Sequence, residues 1–374
     1  MKIALMSGAV KNAGDFLIVD RARKILGDTY PQSMMVTYCR NFPLTSEQVK
    51  EINQMDFIVF AGGPFYKWNI YPQSLPLVEN LDELKPPMFM LGGGWYGDTT
   101  KNKEVWSYKF SEQSKELLKR VQGDTDILGC RDYYAVKVLR ENGIQSVLMT
   151  GCPAWYDIAK IGKRLDHSLH IDKIAVSDPA DIFHFGGQSV EIVQYLRKKF
   201  PCSKIVYVFH RGTNADSYTS EKTAAKIGLL KEKLSEMQVR FYDIAYGCKG
   251  FKIYDDCDLH VGHRVHAHIY NLSQRKCSIL VEEDSRGAGV NEALGLWGIK
   301  AYARKKGRNS SFSIKLYNKL FDYMQINKYC IKEIDCYLDY MLSTKADIMN
   351  FAYSGMEKYY NVMRLHVSSL EKFL

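Results

Sequence analysis

With 374 residues, 46% of them hydrophobic and 25% charged, the chain is long enough for two domains with cores of their own and lies outside the disordered and fibrous classes. A net charge of +9 suits nucleic acid, an anionic membrane surface or a phosphorylated substrate. The lack of zinc-finger spacing and of an RNA-binding aromatic signature sets nucleic acid aside. Nine scattered cysteines with no C-x-x-C pair indicate reduced thiols in a cytosol rather than a disulfide framework. The apolar run Met1 to Val10 is short and ends in Lys11 and Asn12, so no export signal is expected. No stretch reaches the roughly eighteen uninterrupted apolar residues of a membrane span.

Short apolar strands, glycine-bearing loops and amphipathic helices alternate along the first half, the pattern of a parallel sheet covered by helices. Met1 to Ser7 predicts a first strand and Gly8 to Gly14 a loop. Asp15 is expected to cap a helix whose Leu17, Ile18, Ala22, Ile25 and Leu26 fall at helical spacing. Phe57 to Ala61 and Met88 to Leu91 predict two strands ending in the glycine loops Gly62-Gly63 and Gly92-Gly93-Gly94. Asp126 to Cys130 predicts a strand, Tyr133 to Asn142 a helix and Ser146 to Met149 a closing strand, giving a first domain over residues 1–160.

Lys160 to Asp172 predicts a linker, and residues 172–310 a second α/β domain. Its expected strands are Lys173 to Val176, Lys204 to Phe209, Val239 to Asp243, Asp258 to Val261 and Cys277 to Val281. Helices are expected at Ser189 to Lys199, Glu221 to Met237 and Asn291 to Leu296. Residues 311–374 predict helices packing back across both domains, with Tyr317, Leu320, Phe321, Tyr323 and Met324 at packing intervals. The run Arg304-Lys305-Lys306-Gly307-Arg308 predicts a solvated loop, with membrane-surface contact as the second reading.

Gly262-His263-Arg264-Val265-His266-Ala267-His268 follows a predicted strand and should open a helix near the crevice. Arginine beside the free N–H groups of a helix start favours an anion, and a histidine two residues on can move a proton near neutral pH. Zinc is disfavoured because strand alternation would place His263 opposite His260, His266 and His268. Of the four, His266 is singled out. Arg131, at a strand-to-helix junction, can grip a carboxylate in the crevice or pair with Asp132. Gly14, Gly93 and Gly94 allow close backbone approach to a ligand. Arg286 can reach substrate or pair within its own acidic loop. No G-x-G-x-x-G or Walker loop is present, which disfavours a dinucleotide cofactor or an ATPase.

These pieces, in order, resemble the polysaccharide pyruvyl transferase family. The resemblance rests on Asn12-x-Gly14-Asp15, Gly92-Gly93-Gly94, Cys130-Arg131-Asp132 with Leu139 and Gly143, Thr150-Gly151-Cys152-Pro153-Ala154, and Arg264-Val265-His266. It covers most of the chain up to about residue 300 and departs from the family's pattern at His263 and Ala267. The resemblance implies two Rossmann-like domains facing a central cleft, as in glycosyltransferases of the B type. It also implies phosphoenolpyruvate as donor, no cofactor and no metal, and a hexose-containing acceptor, lipid-linked or free.

On that resemblance His266 is the catalytic acid and Arg131, Arg264, Gly14, Asp15, Gly93 and Gly94 are binding residues, to which the crevice position adds Arg286. A cytoplasmic location, at the inner membrane face if the acceptor is lipid-linked, follows from the same resemblance. Two rival readings are a nucleotide-sugar glycosyltransferase, suggested by Arg286 to Ala293, and a non-catalytic carbohydrate-binding relative of the fold.

Overall fold

The computed structural model describes residues 1–97, 102–165, 170–304, 325–344 and 347–374. Outside them lie residues 166–169 of the expected linker, residues 305–308 of the basic run, and Tyr317, Leu320, Phe321, Tyr323 and Met324 of the expected C-terminal helix.

The first half contains β1 (Lys2–Ser7), α1 (Ala13–Thr29), β2 (Met34–Cys39), α2 (Ser46–Ile52), β3 (Phe57–Tyr66) and β4 (Met88–Trp95). It continues with α3 (Asn102–Ser107), α4 (Glu112–Thr125), β5 (Leu128–Cys130), α5 (Tyr133–Glu141) and β6 (Val147–Met149). The second half contains β7 (Lys173–Ser177), α6 (Ile182–Lys199), β8 (Lys204–Phe209), α7 (Glu221–Glu236), β9 (Arg240–Asp243) and β10 (Leu259–Gly262). There follow α8 (Val265–Ser273), β11 (Cys277–Glu282), α9 (Ser285–Leu294) and β12 (Ile299–Lys300). A small ribbon of β13 (Tyr302–Arg304) and β14 (Gln325–Ile326) leads to α10 (Cys330–Ser343) and α11 (Asp347–Ser368).

The strands form two six-stranded sheets, ordered β2-β1-β3-β4-β5-β6 and β12-β11-β10-β7-β8-β9, and every pairing within them is parallel. The sequence expectation of two parallel α/β units therefore holds. Each sheet is covered on both faces, so its central strands are apolar on both sides. In β1, Ile3 and Leu5 join the core under α1, while Ala4 and Met6 join the core of the opposite face. All five predicted apolar positions of α1 are buried.

C-terminal α11 packs back across both sheets. Its His366 stacks on Phe89 of β4 at 4.2 Å between ring centroids and meets the Met90 carbonyl at 3.1 Å. Tyr353 of the same helix donates to the Lys276 carbonyl beside β11 at 2.9 Å. No helix among the described residues is long and apolar enough to cross a membrane.

Four local expectations are corrected. Gly62-Gly63 and Gly92 to Gly94 lie inside β3 and β4 rather than in loops after them. Helix α1 starts at Ala13 with Asn12 as its N-cap, so Asp15 sits in the first turn and caps nothing. Helix α6 begins at Ile182 rather than Ser189, capped by the Asp181 carboxylate, which accepts from His184 N. Helix α9 begins at Ser285, with Gly287 and Gly289 inside it.

Candidate functional site

Loops at the carboxyl ends of parallel strands face a crevice, and here residues from those ends of both sheets line one cavity. The cavity has a volume of about 170 Å³. From the first sheet it takes Asn12 and Asp15 at the start of α1, Arg40 after β2, and Arg131 after β5. The second sheet contributes Arg211 after β8, Val265 and His266 in the first turn of α8, and Arg286 in the first turn of α9. No side chain caps α8, so its leading N–H groups add their partial positive charge to the arginines.

His266 owes its position to Gly14. A Cβ on Gly14 would stand 2.0 Å from His266 Nδ1 and 2.3 Å from its Cγ, closer than any real contact. Only glycine lets the first turn of α1 lie against that imidazole. Burial, followed by the charges of Arg286, His210, Arg131 and Arg264, holds His266 well below its ordinary pKa and so favours its neutral form.

The other three histidines of the segment point elsewhere. His260 bridges Ser278 and Ser177 at 2.8 and 2.9 Å, His263 meets Gln188 at 3.0 Å, and His268 meets Ser278 at 2.8 Å. The expectation from strand alternation does not apply, because β10 ends at Gly262 and His266 and His268 belong to α8.

Arg131 makes the Asp132 pairing and also stands in the cavity wall. Its Nε donates to Asp132 at 2.9 Å and its Nη2 to the Trp95 carbonyl at 3.3 Å, while the same guanidinium lines the cavity. Asp132 is itself fixed as the cap of α5, accepting from Ala135 N at 2.9 Å. Gly94 makes room for this arrangement, since a Cβ there would stand 2.2 Å from Arg131 Cζ. Gly93 backs onto Phe65 and Tyr66 and is a packing position, not a wall of the cavity. Arg286 pairs with Asp284 through Nη2 to Oδ2 at 2.6 Å, lies over the Tyr96 ring at 5.1 Å, and lines the cavity.

Arg264 is the expected ligand that the fold places otherwise. Its Nε and Nη2 each reach an Asp178 carboxylate oxygen at 2.7 Å, and Nη2 also meets the Pro179 carbonyl at 3.2 Å. It does not line the cavity. Asp178 further accepts from His210 N at 3.2 Å, so the pair braces β7, β8 and the start of α8 at the cavity floor. Arg264 is a positioning residue.

Two cavity arginines escaped the sequence reading. Arg40 donates to the Ala61 and Gly62 carbonyls at 3.2 and 2.9 Å and lies over the Phe65 ring at 5.0 Å. Burial pushes its guanidinium down to about 10, still charged at neutral pH. Arg211 completes the set. The available signal was their position, one and two residues beyond the ends of β2 and β8. Among the described residues, Asp15 is the one carboxylate in the cavity wall facing these arginines, and it accepts from Asn12 Nδ2 at 3.1 Å. Cys152 also lines the cavity, with burial pushing its thiol up to about 11, which disfavours it as a nucleophile.

The buried histidines give stability a defined pH dependence. Burial drives His263 and His268 down to about 3, His366 to about 4, and His210 and His260 well below the ordinary value. Their contribution is present above pH ~6.5 and is lost as pH falls toward those folded values, because the unfolded chain takes up protons the fold refuses. Glu282 and Glu283, pushed up to about 7 by burial, and Asp15, raised by burial, act oppositely but are outnumbered by the buried histidines. Stability should therefore fall as pH drops from 6.5 to 4.5, by about 1.4 kcal/mol per pH unit for each uncompensated proton. Thermal midpoints at pH 7, 6 and 5 check this, and a flat series would contradict it.

Among solved structures, the chain is similar to one from Listeria monocytogenes described as a UDP-N-acetylglucosamine 2-epimerase. Identity is 11% and the TM-score 0.51, over 93% of this chain and 90% of that one. UDP-GlcNAc 2-epimerase from Neisseria meningitidis, bound to UDP-GlcNAc, matches at 10% identity and a TM-score of 0.47, over 92% and 100%. At these identities the likeness concerns the two-domain α/β architecture alone. No curated protein matches the chain. The model of the polysaccharide pyruvyl transferase family matches residues 12–285, from the N-cap of α1 to the start of α9, spanning both halves of the cavity wall. The chain thus belongs to the polysaccharide pyruvyl transferase family.

Proposed function

We propose that this protein transfers the enolpyruvyl unit of phosphoenolpyruvate to two hydroxyls of one hexose, closing a pyruvate ketal during synthesis of a capsule, exopolysaccharide or cell-wall glycan. The observation that carries this reading is the small cavity in which Arg40, Arg131, Arg211 and Arg286 surround His266. Its volume of about 170 Å³ falls below the roughly 300–1,000 Å³ of sites for drug-sized ligands. That favours a compact, multiply charged donor over a nucleotide sugar. The reading invokes no nucleotide cofactor and no metal.

Phosphoenolpyruvate presents a carboxylate and a phosphate on adjacent groups, and guanidinium forks suit both. Protonation of its methylene carbon makes the neighbouring carbon electrophilic, a sugar hydroxyl attacks, phosphate leaves, and a second hydroxyl closes the ring. The arginines offset charge as it redistributes toward the departing phosphate. His266, held toward its neutral form by burial, is suited first to accept the proton of the attacking hydroxyl rather than to supply one to carbon, which revises the role expected from sequence. A lipid-linked oligosaccharide acceptor would bring the basic chain to the inner membrane face.

Purified protein given phosphoenolpyruvate and hexose-containing oligosaccharides should release phosphate only with acceptor, and the product should carry a ketal methyl group. Release of a nucleoside diphosphate from a nucleotide sugar instead would replace this reading with glycosyl transfer. Arg40→Ala, which removes a charge-assisted contact of about 1.5–3 kcal/mol, should weaken donor binding roughly 10- to 100-fold by calorimetric titration. Unchanged affinity would remove Arg40 from the donor site.

A further inference from the structure

The reaction begins with a proton delivered to carbon, and a neutral His266 leaves that step without a donor. The geometry points to Asp15 as the second catalytic group: a carboxylic acid that protonates the methylene carbon while His266 takes the hydroxyl proton. This role rests on phosphoenolpyruvate being the donor.

Among the described residues, Asp15 is the one carboxylate in the cavity wall that faces Arg40 and Arg211, and it follows directly on Gly14, against which the His266 ring lies. An acid and a base are thus presented to one cavity from neighbouring positions on opposed elements, α1 and α8. Asp15 is held in place. Its backbone N–H donates to the Asn12 carbonyl at 3.0 Å, Ala13 N donates across the cleft to the His210 carbonyl at 3.0 Å, and the Asn12 side chain donates to its Oδ2. Asn12 is the N-cap residue of α1, yet its side chain caps nothing and is spent on Asp15 instead.

The groups facing Asp15 are Arg40 from the end of β2, Arg211 from the end of β8, Arg286 from α9 and the Cys152 thiol. Burial raises its carboxyl against the lowering effect of Asn12 and those three arginines. His266 is driven the other way, toward the neutral base, while the Asp15 carboxylate keeps the Asn12 amide as its fixed partner. A bound anion offsets the arginine charge and raises both groups together.

The protons balance. Asp15 gives its proton to the methylene carbon, the first hydroxyl oxygen bonds to the neighbouring carbon, and that hydroxyl's proton passes to His266. The bond from this carbon to the phosphate oxygen then breaks, and the imidazolium returns its proton to the departing phosphate. The second hydroxyl bonds to the same carbon and its proton restores Asp15. Both groups end as they began.

The test is the pH profile of kcat/KM together with titration of phosphoenolpyruvate. Wild type should show an alkaline limb, where Asp15 loses its proton, and an acid limb, where His266 gains one. Asp15→Asn should lower kcat by about 10²- to 10⁴-fold and abolish the alkaline limb while donor affinity stays within a few-fold. Asn12→Ala, which removes a hydrogen bond to the charged carboxylate, should move the alkaline limb to higher pH. Turnover within threefold of wild type in Asp15→Asn, or an alkaline limb unmoved in both variants, would overturn the role. Absence of phosphoenolpyruvate binding by wild type would remove the donor itself, an outcome told apart by the titration alone.

Discussion

Asp178→Ala is expected to destabilise the protein by about 3–5 kcal/mol, the cost of leaving one partner of a buried ion pair uncompensated. Asp178 and Arg264 are 4% and 7% exposed, and both carboxylate oxygens are engaged by the guanidinium. The substitution also frees His210 N from its acceptor at the end of β8. The lowered midpoint should appear in chemical denaturation. Asp178→Asn, which keeps an acceptor and loses the charge, should fall between the alanine variant and wild type. A change below 1 kcal/mol in the alanine variant would mean that Arg264 swings into the cleft and finds solvent there.

The largest effect on turnover from a residue with no chemistry of its own is expected at Gly14. Gly14→Ala places a methyl group within 2.7 Å of three His266 atoms. The backbone cannot back away easily, because Ala13 N is bonded across the cleft to His210 and Asp15 N to Asn12. The imidazole must therefore turn, and kcat should fall by about 10²- to 10⁴-fold with donor affinity largely kept. His266→Ala should show a similar loss, and the double variant should be no worse than either single one, since both remove the same group. Wild-type turnover in Gly14→Ala would exclude His266 from the reaction.

The sequence was most informative where local pattern and tertiary role coincide. Helix α5 could be read from Asp132 as its cap and from its apolar face, and the strands β7, β8 and β11 from their apolar, β-branched residues. Helix α6 was read late because Gly186-Gly187 signals a break, yet Ile182 and Phe185 before them are buried and tertiary packing carries the helix through. Strand β2 is half-exposed at a sheet edge and gave little signal, so Arg40 behind it had no frame.

Arg264 shows the opposite limit. Its place before a helix was legible, but its partner Asp178 lies 86 residues away, and only the folded sheet brings the two together. Among the four histidines of one short segment, the choice of His266 is likewise supported by tertiary contacts, which engage the other three with Ser177, Ser278 and Gln188.

The most direct test of the account is a calorimetric titration of the purified protein with phosphoenolpyruvate, UDP-sugars and GDP-sugars in parallel. Saturable binding of phosphoenolpyruvate alone, weakened by added salt and by Arg40→Ala, is the predicted result. Saturable binding of a nucleotide sugar with none of phosphoenolpyruvate would contradict it.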